Sequence, residues 1–299
     1  MPPTPGLLGR VVAGRRACGA VLAGALALAA ASAVRAAEPV ELSVLTYNVH
    51  GLPGFPTGDA PKERMPRIAE RLNGYDVVLV QEDFRYHDRL VGGVEHTLIE
   101  RGNPSRFWLG RMSGLFVGSG LTVLARSAPE DQRSLTRESF GSCSGWFAGS
   151  SDCMATKGFL HVRLRLANGR ELDFYTAHLE AGSRTSDRRT RAEQLDRLAS
   201  RMRELSGDRP VVVGGDFNLR WDVPEDRAQL EQFLVQTELI DSGAVPSEPE
   251  LWTRVDYLFY RSGGETPLEV LAAGQDREFV YEGGPLSDHP ALFLRLKVR

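Results

Sequence analysis

Lysine is scarce in this chain: only Lys62, Lys157 and Lys297 occur, and arginine supplies the rest of the positive charge. Cysteine is scarce too, with three residues, and no Cys/His spacing of the zinc-binding kind is present. There is no Walker-type glycine loop, which excludes the usual nucleotide-phosphate cradle. No repeat, low-complexity linker or block of like charge divides the chain, which argues against a solenoid or a string of modules. The formal charge is −3, so non-specific binding to nucleic acid through bulk attraction is disfavoured, although a local basic groove stays open.

What is present begins with an unusual start. Arg10, Arg15 and Arg16 precede an alanine- and leucine-rich run from about Ala17 to Val34, and the small residues Ala36 and Ala37 follow Arg35. A basic segment, an apolar segment and a small-residue end describe a cleavable secretory signal peptide over residues 1–36; a membrane anchor is the alternative. Residues 37–299 then form one exported domain, periplasmic or secreted. Removal of residues 1–36 takes away four arginines and no acids, so the mature charge is −7. An exported chain keeping Cys143 and Cys153 is expected to join them in a disulfide. The loop between them holds Trp146 and Phe147, which read either as packed under their own loop or as a lipid-facing pair.

Strand-like runs alternate with helical ones. Leu42–Asn48, Asp76–Glu82, Leu121–Arg126, Gly158–Leu166, Leu172–Leu179, Val211–Asp216, Asp256–Tyr260 and Ala291–Val298 read as strands. Asn168-Gly169 marks a hairpin turn. Met65, Ile68, Ala69 and Leu72 repeat at helical spacing, as do Leu195, Leu198, Ala199 and Met202 in a segment starting near Asp187, and a third helix is expected over Glu225–Leu239. Hairpins mixed with helical crossovers predict an α/β fold with two mixed or antiparallel sheets packed face to face and helices outside.

The polar groups collect where strands end. Asn48 and His50 close the first run (TYNVHGLP), Glu82 the second (VVLVQED), His178 another (FYTAHLE), and Asp216 and Asn218 the valine run (VVVGGDFN). Asp256 lies in WTRVDYLFY and Asp288-His289 in PLSDHPALF. Each has an ordinary reading: a cap or turn for Asp216 and Asp288, a rim histidine for His178. Together, oxygen donors and imidazoles at five separate strand tips point to a site for a hard cation such as Mg²⁺ or Mn²⁺.

In that order, TYNVHG, QED, TAHLE, GGDFN, VDYLF and SDHPA resemble the endonuclease/exonuclease/phosphatase superfamily over the whole mature chain. The resemblance implies a four-layer α/β sandwich and metal-dependent phosphoester hydrolysis by in-line water attack, usually with Mg²⁺. It makes Glu82 the main metal ligand with Asn48 beside it, and Asp288 a further metal ligand or a group behind one. It makes His289 the general base or phosphate-binding group, and Asp256 the carboxylate that orients it. Asp216 positions or deprotonates the water, Asn218 contacts phosphate, and His178 is the second histidine of the nuclease and sphingomyelinase branches.

Within the superfamily the chain is most similar to secreted bacterial neutral sphingomyelinases, from TYNVHGLPG through CMATKGFLHVRL to TAHLEAGSR and the helix with Arg191 and Gln194. It departs from them after Gln81-Glu82, where Arg85-Tyr86-His87 follows Phe84. Lys157, before a strand, is either a phosphate contact or a solvated lysine. The favoured substrate is a phosphoester such as the head group of sphingomyelin or a related membrane phospholipid. A secreted DNase-type endonuclease and a phosphatase on small esters are the alternatives, with nucleic acid the weaker partner; a binding module that has lost catalysis is a third class. No stable protein partner is implied.

Overall fold

A computed structural model of the chain describes residues 38–52, 60–104, 118–144, 153, 155–247 and 253–299. The segment read as a signal peptide, and Trp146 and Phe147, lie outside the described residues. In chain order the elements are β1 (Val40–Asn48), α1 (Pro61–Leu72), β2 (Val77–Gln81), α2 (His87–Val91), β3 (Leu98–Arg101), β4 (Thr122–Ala125), β5 (Gln132–Ser139), β6 (Gly158–Arg165), β7 (Glu171–His178), α3 (Thr185–Ser206), β8 (Val211–Asp216), α4 (Pro224–Thr237), β9 (Ile240–Asp241), β10 (Asp256–Arg261), β11 (Leu268–Gln275), β12 (Val280–Tyr281), β13 (Gly284–Pro285) and β14 (Leu292–Val298). They belong to one unit, Ala37–Arg299.

Among the described residues the strands form two six-stranded sheets, in the orders β11-β14-β1-β2-β4-β3 and β5-β6-β7-β8-β10-β9, and a small β12-β13 ribbon. Each large sheet is mixed, with one parallel pair near its middle: β1 with β2 and β7 with β8. Parallel neighbours need a crossover, and α1 and α3 supply one each.

Alternation along the strands explains the layers. On β8, Val212 joins a core between the sheets with Val44, Leu79, Phe174, Leu258 and Leu294. Val211 and Val213 face the other way, against Leu195, Leu198 and Met202 of α3 and Phe233 of α4. On the far side Leu45, Val78 and Val80 pack under Met65, Ile68 and Leu72 of α1. Each such aliphatic side chain removed from water contributes about 1.5–3 kcal/mol. Helix, sheet, sheet and helix thus make the expected four layers.

Two boundaries differ from the sequence reading for local reasons. Helix α3 starts at Thr185, before Asp187, whose carboxylate accepts the Arg184 N–H at 2.8 Å and closes the first turn. Strand β2 ends at Gln81, because Glu82 adopts φ 62° and leaves the pleat. Gly214 marks a close approach of the sheets: a Cβ there would lie 2.8 Å from Leu79 Cδ1 and 2.9 Å from both Leu258 Cδ2 and Thr46 Cβ. The disulfide expected between Cys143 and Cys153 is present, with 5.3 Å between Cα atoms.

Candidate active site

Side chains on a strand alternate faces, so a residue two or four positions from an inward one also points inward. Counting from Val44, Phe174, Val212 and Leu258, all in the inter-sheet core, places Asn48, His178, Asp216 and Asp256 on the inward side at the strand tips. The pairing then sets them side by side. His178 is in register with Asp216 across β7 and β8, and Asp216 with Asp256 across β8 and β10. The apolar core of each strand therefore ends in a polar group at one common edge.

Seven contacts define the cluster. Asn48 Nδ2 donates to Asp216 Oδ2 at 3.1 Å and lies 3.4 Å from His289 Nε2. His289 Nδ1 is 2.8 Å from Asp256 Oδ2, and its Nε2 is 3.9 Å from Asp216 Oδ2. His178 Nε2 lies 3.6 Å from both Glu82 Oε1 and Asp216 Oδ2. Lys157 Nζ is 2.8 Å from His178 Nε2. Lys157 is 5% exposed, which excludes the solvated reading of that residue.

The remaining sequence candidates sit around this centre. Asn218 adopts φ 52°, donates through Nδ2 to the Leu179 carbonyl at 3.0 Å, and through its backbone N–H to Asp216 Oδ1 at 3.0 Å. Asp288 is half-exposed at the rim and pairs with His50 Nδ1 at 2.5 Å. The Asn48 side-chain oxygen accepts the His50 N–H at 3.0 Å. One polar layer below, Gln81 Nε2 donates to Thr176 Oγ1 at 2.8 Å and Thr46 Oγ1 at 3.1 Å, bridging the two sheets. Beside Glu82, buried Asp83 accepts from Thr122 Oγ1 at 2.6 Å and meets His87 Nδ1 at 2.6 Å. The sequence reading did not assign either group. Gln81 was legible only as the polar end of an apolar strand, and His87 only as part of the departure from the sphingomyelinase pattern.

The charges are strongly unequal. Burial raises the Glu82 carboxyl above its ordinary range, and Lys157 and His289 offset this only in part. Burial pushes Asp256 up to about 6, against the pull of His289. Burial alone lowers His289, but the negative charges of Asp256 and Asp216 outweigh it and hold the imidazole well above 6.5. Near neutral pH this pair is carboxylate and imidazolium. His178 goes the other way: burial, then the charges of Lys157 and His289, hold it well below 6.5. A neutral His178 accepts from Lys157 at Nε2, which puts its own proton on Nδ1.

The donor set fits a hard divalent cation. Ligand atoms of Glu82, His178 and Asp216 lie within 4.8 Å of one another, as do those of Asp216, Asp256 and His289. Asp256 Oδ1 is buried without a hydrogen-bond partner, and a buried carboxylate with a raised pKa such as Glu82 gains from a neighbouring positive charge.

Residues 45–289 match the Endonuclease/Exonuclease/phosphatase family. The chain belongs to that family. Among curated proteins, a sphingomyelinase of Mycobacterium bovis is 32% identical over 271 residues, covering 83% of this chain and 51% of the relative. A sphingomyelinase of Mycobacterium tuberculosis gives the same figures. The chain thus spans about half the length of the curated relatives it matches. Sphingomyelinase C from Streptomyces griseocarneus superposes with a TM-score of 0.60 at 18% identity, covering 86% of this chain and 99% of that one. A mutant beta toxin of Staphylococcus aureus, crystallised with bound magnesium ions, gives 0.61 at 18%, covering 87% and 99%. These structural likenesses concern the fold, and the endonuclease/exonuclease/phosphatase sandwich is the fold seen here.

Proposed function

We propose that this endonuclease/exonuclease/phosphatase protein is an exported, Mg²⁺-dependent phosphodiesterase that cleaves the head group of sphingomyelin or a related phospholipid. The observation that carries the reading is the meeting of Glu82, His178 and Asp216 beside the Asp256–His289 pair, built from chain segments far apart in sequence. The 32% identity to mycobacterial sphingomyelinases supports the substrate class. The basic and apolar start of the sequence, together with the Cys143–Cys153 disulfide, supports export.

Glu82, with the Asn48 amide alongside, would hold the ion, and Asp288 stands at the rim of the same edge. The ion would supply positive charge to the non-bridging phosphate oxygens. The protein's own groups do the rest. Asp216 faces the space between both histidines and would orient and deprotonate the attacking water. His289, held as imidazolium by Asp256, would bind the phosphate and follow its growing charge, one of the two roles the sequence left open. Lys157, buried beside His178, would add a second positive group for the phosphate or the leaving oxygen, and Asn218 a neutral donor.

The deciding experiment is a substrate panel with added Mg²⁺ and an EDTA control. Phosphocholine release from sphingomyelin vesicles, absent in EDTA and in His289→Ala, is the expected result. Cleavage of plasmid DNA with no lipid hydrolysis would replace the lipid reading by the nuclease one, and turnover of neither would overturn the phosphodiesterase reading in favour of a phosphatase on small esters.

A further inference from the structure

Arg64 belongs to α1, a helix without residues assigned a chemical role. Its guanidinium nevertheless spans two segments that do carry them. Nη1 donates to the Leu286 carbonyl and, at 3.4 Å, to the Val49 carbonyl, and Nη2 donates to the His50 carbonyl at 3.1 Å. Val49 and His50 directly follow Asn48, and Leu286 stands three residues before His289. The same two segments meet again at Ser287, whose Oγ donates to the Asn48 carbonyl at 2.7 Å and accepts the His289 N–H at 3.3 Å. Both segments have left their strands, so ladder hydrogen bonds do not fix their spacing. His50 is also held at φ 47°, a conformation that an L-residue keeps only under constraint.

We propose that Arg64 is a positioning residue: it bridges the turn after β1 to the segment before His289 and so fixes the approach of the His289 ring to Asn48 and Asp256. The planar fork of a guanidinium can serve several carbonyls at once, and a lysine ammonium, a point donor, cannot reproduce that arrangement. The helix supplies a rigid base, since Met65 and Ile68 beside Arg64 are fully buried under the first sheet.

This inference rests on the phosphodiesterase reading for its kinetic test but has a spectroscopic test that does not. In Arg64→Ala, hydrolysis of a simple diester such as bis(p-nitrophenyl) phosphate should lose ~10–100-fold in kcat, as misplacement by about an ångström does, with KM changed by less than about twofold. Arg64→Lys should recover part of the loss, and Arg71→Ala, an exposed change on the same helix, should cost nothing. The downfield proton of His289 Nδ1, identified by its absence in His289→Ala, should shift or broaden in both Arg64 variants and stay in place in Arg71→Ala. An unmoved proton signal, or kcat within about twofold of the parent, overturns the proposal. If Arg64→Ala fails to fold, Arg64→Lys carries the same readouts. If the parent protein hydrolyses no diester, the proposed function fails, and the proton signal alone decides the role of Arg64.

Discussion

His289 Nδ1 and Asp256 Oδ2 stand 2.8 Å apart although one residue precedes a strand of the first sheet and the other opens a strand of the second. The carboxylate is 2% exposed, so its charge acts on the imidazole with little screening. Asp256→Asn keeps the shape and removes the charge. Hydrolysis should fall by about 10²–10⁴-fold, measured as kcat/KM, on protein whose folded state is checked by circular dichroism. Parent-like turnover would show that the pair plays no part in the chemistry.

The two histidines of the site should separate on titration. In the metal-free protein His289 is held above 6.5 by Asp256 and Asp216, and His178 is held below 6.5 by burial and Lys157. Imidazole NMR signals followed over roughly pH 5 to 9 should show His178 neutral throughout most of the range and His289 losing its proton only toward the alkaline end. The sign can be checked on stability as well. A group whose pKa is raised by folding stabilises the fold below its unfolded value and ceases to do so as pH rises through its folded value. The stability gap between the parent and His289→Gln should therefore narrow at alkaline pH.

At the opposite end of the strands, Asp173 is fully buried and accepts from Arg163 Nε at 2.7 Å, with His161 Nε2 at 2.9 Å. Burial alone would raise this carboxyl, but the hydrogen bonds from His161 and Arg163 more than reverse it, and the pKa lies below 3.8. Removing one partner of a buried charged group costs about 3–5 kcal/mol, which is the loss expected in Asp173→Asn from urea unfolding near neutral pH. The lowered pKa means that this stability is present above the unfolded value and is lost as pH falls through the folded one. The difference between parent and variant should shrink in acid.

Much of the scaffold was legible in the sequence because burial on both faces writes itself as an uninterrupted apolar run. Val211–Val213 ends in Gly214, Gly215 and Asp216, and the structure gives each of these a place. The strands that escaped notice are of another kind. Strand β5 reads Gln-Arg-Ser-Leu-Thr-Arg-Glu-Ser and lies at a sheet edge, half-exposed along nearly its whole length, so its residues have no reason to be apolar. Strand β11 is likewise an edge strand with a mixed surface. In the site, the strand-tip residues were visible because each adjoins a hydrophobic run, Asn48, Glu82, His178 and Asp216 after one and Asp256 and His289 before one. Arg64 and Asp83 were not: an arginine on an amphipathic helix and an acid in a turn become informative only once their partners, distant in sequence, are known. That Lys157 is not solvated could be told only from its burial.

Gly214 gives the most direct test of how tightly the sheets are joined beneath the site. Gly214→Ala would push a methyl group into Leu79, Leu258 and Thr46 at distances that real side chains do not occupy. A loss of about 1–3 kcal/mol is expected on thermal or urea unfolding, the usual range for overpacking. An unchanged midpoint would mean that the sheets can separate locally at no cost.

The bridge from Gln81 to Thr176, one layer under the strand tips, has a further consequence. The side chains of the candidate site hang from both leaves of the sandwich, so neither leaf alone can offer the complete set. Docking of the leaves is thus itself the step that assembles the candidate site. An ion bound there should protect amide hydrogens across both leaves against exchange, well beyond the residues it touches, because its affinity vanishes in any species whose leaves have come apart.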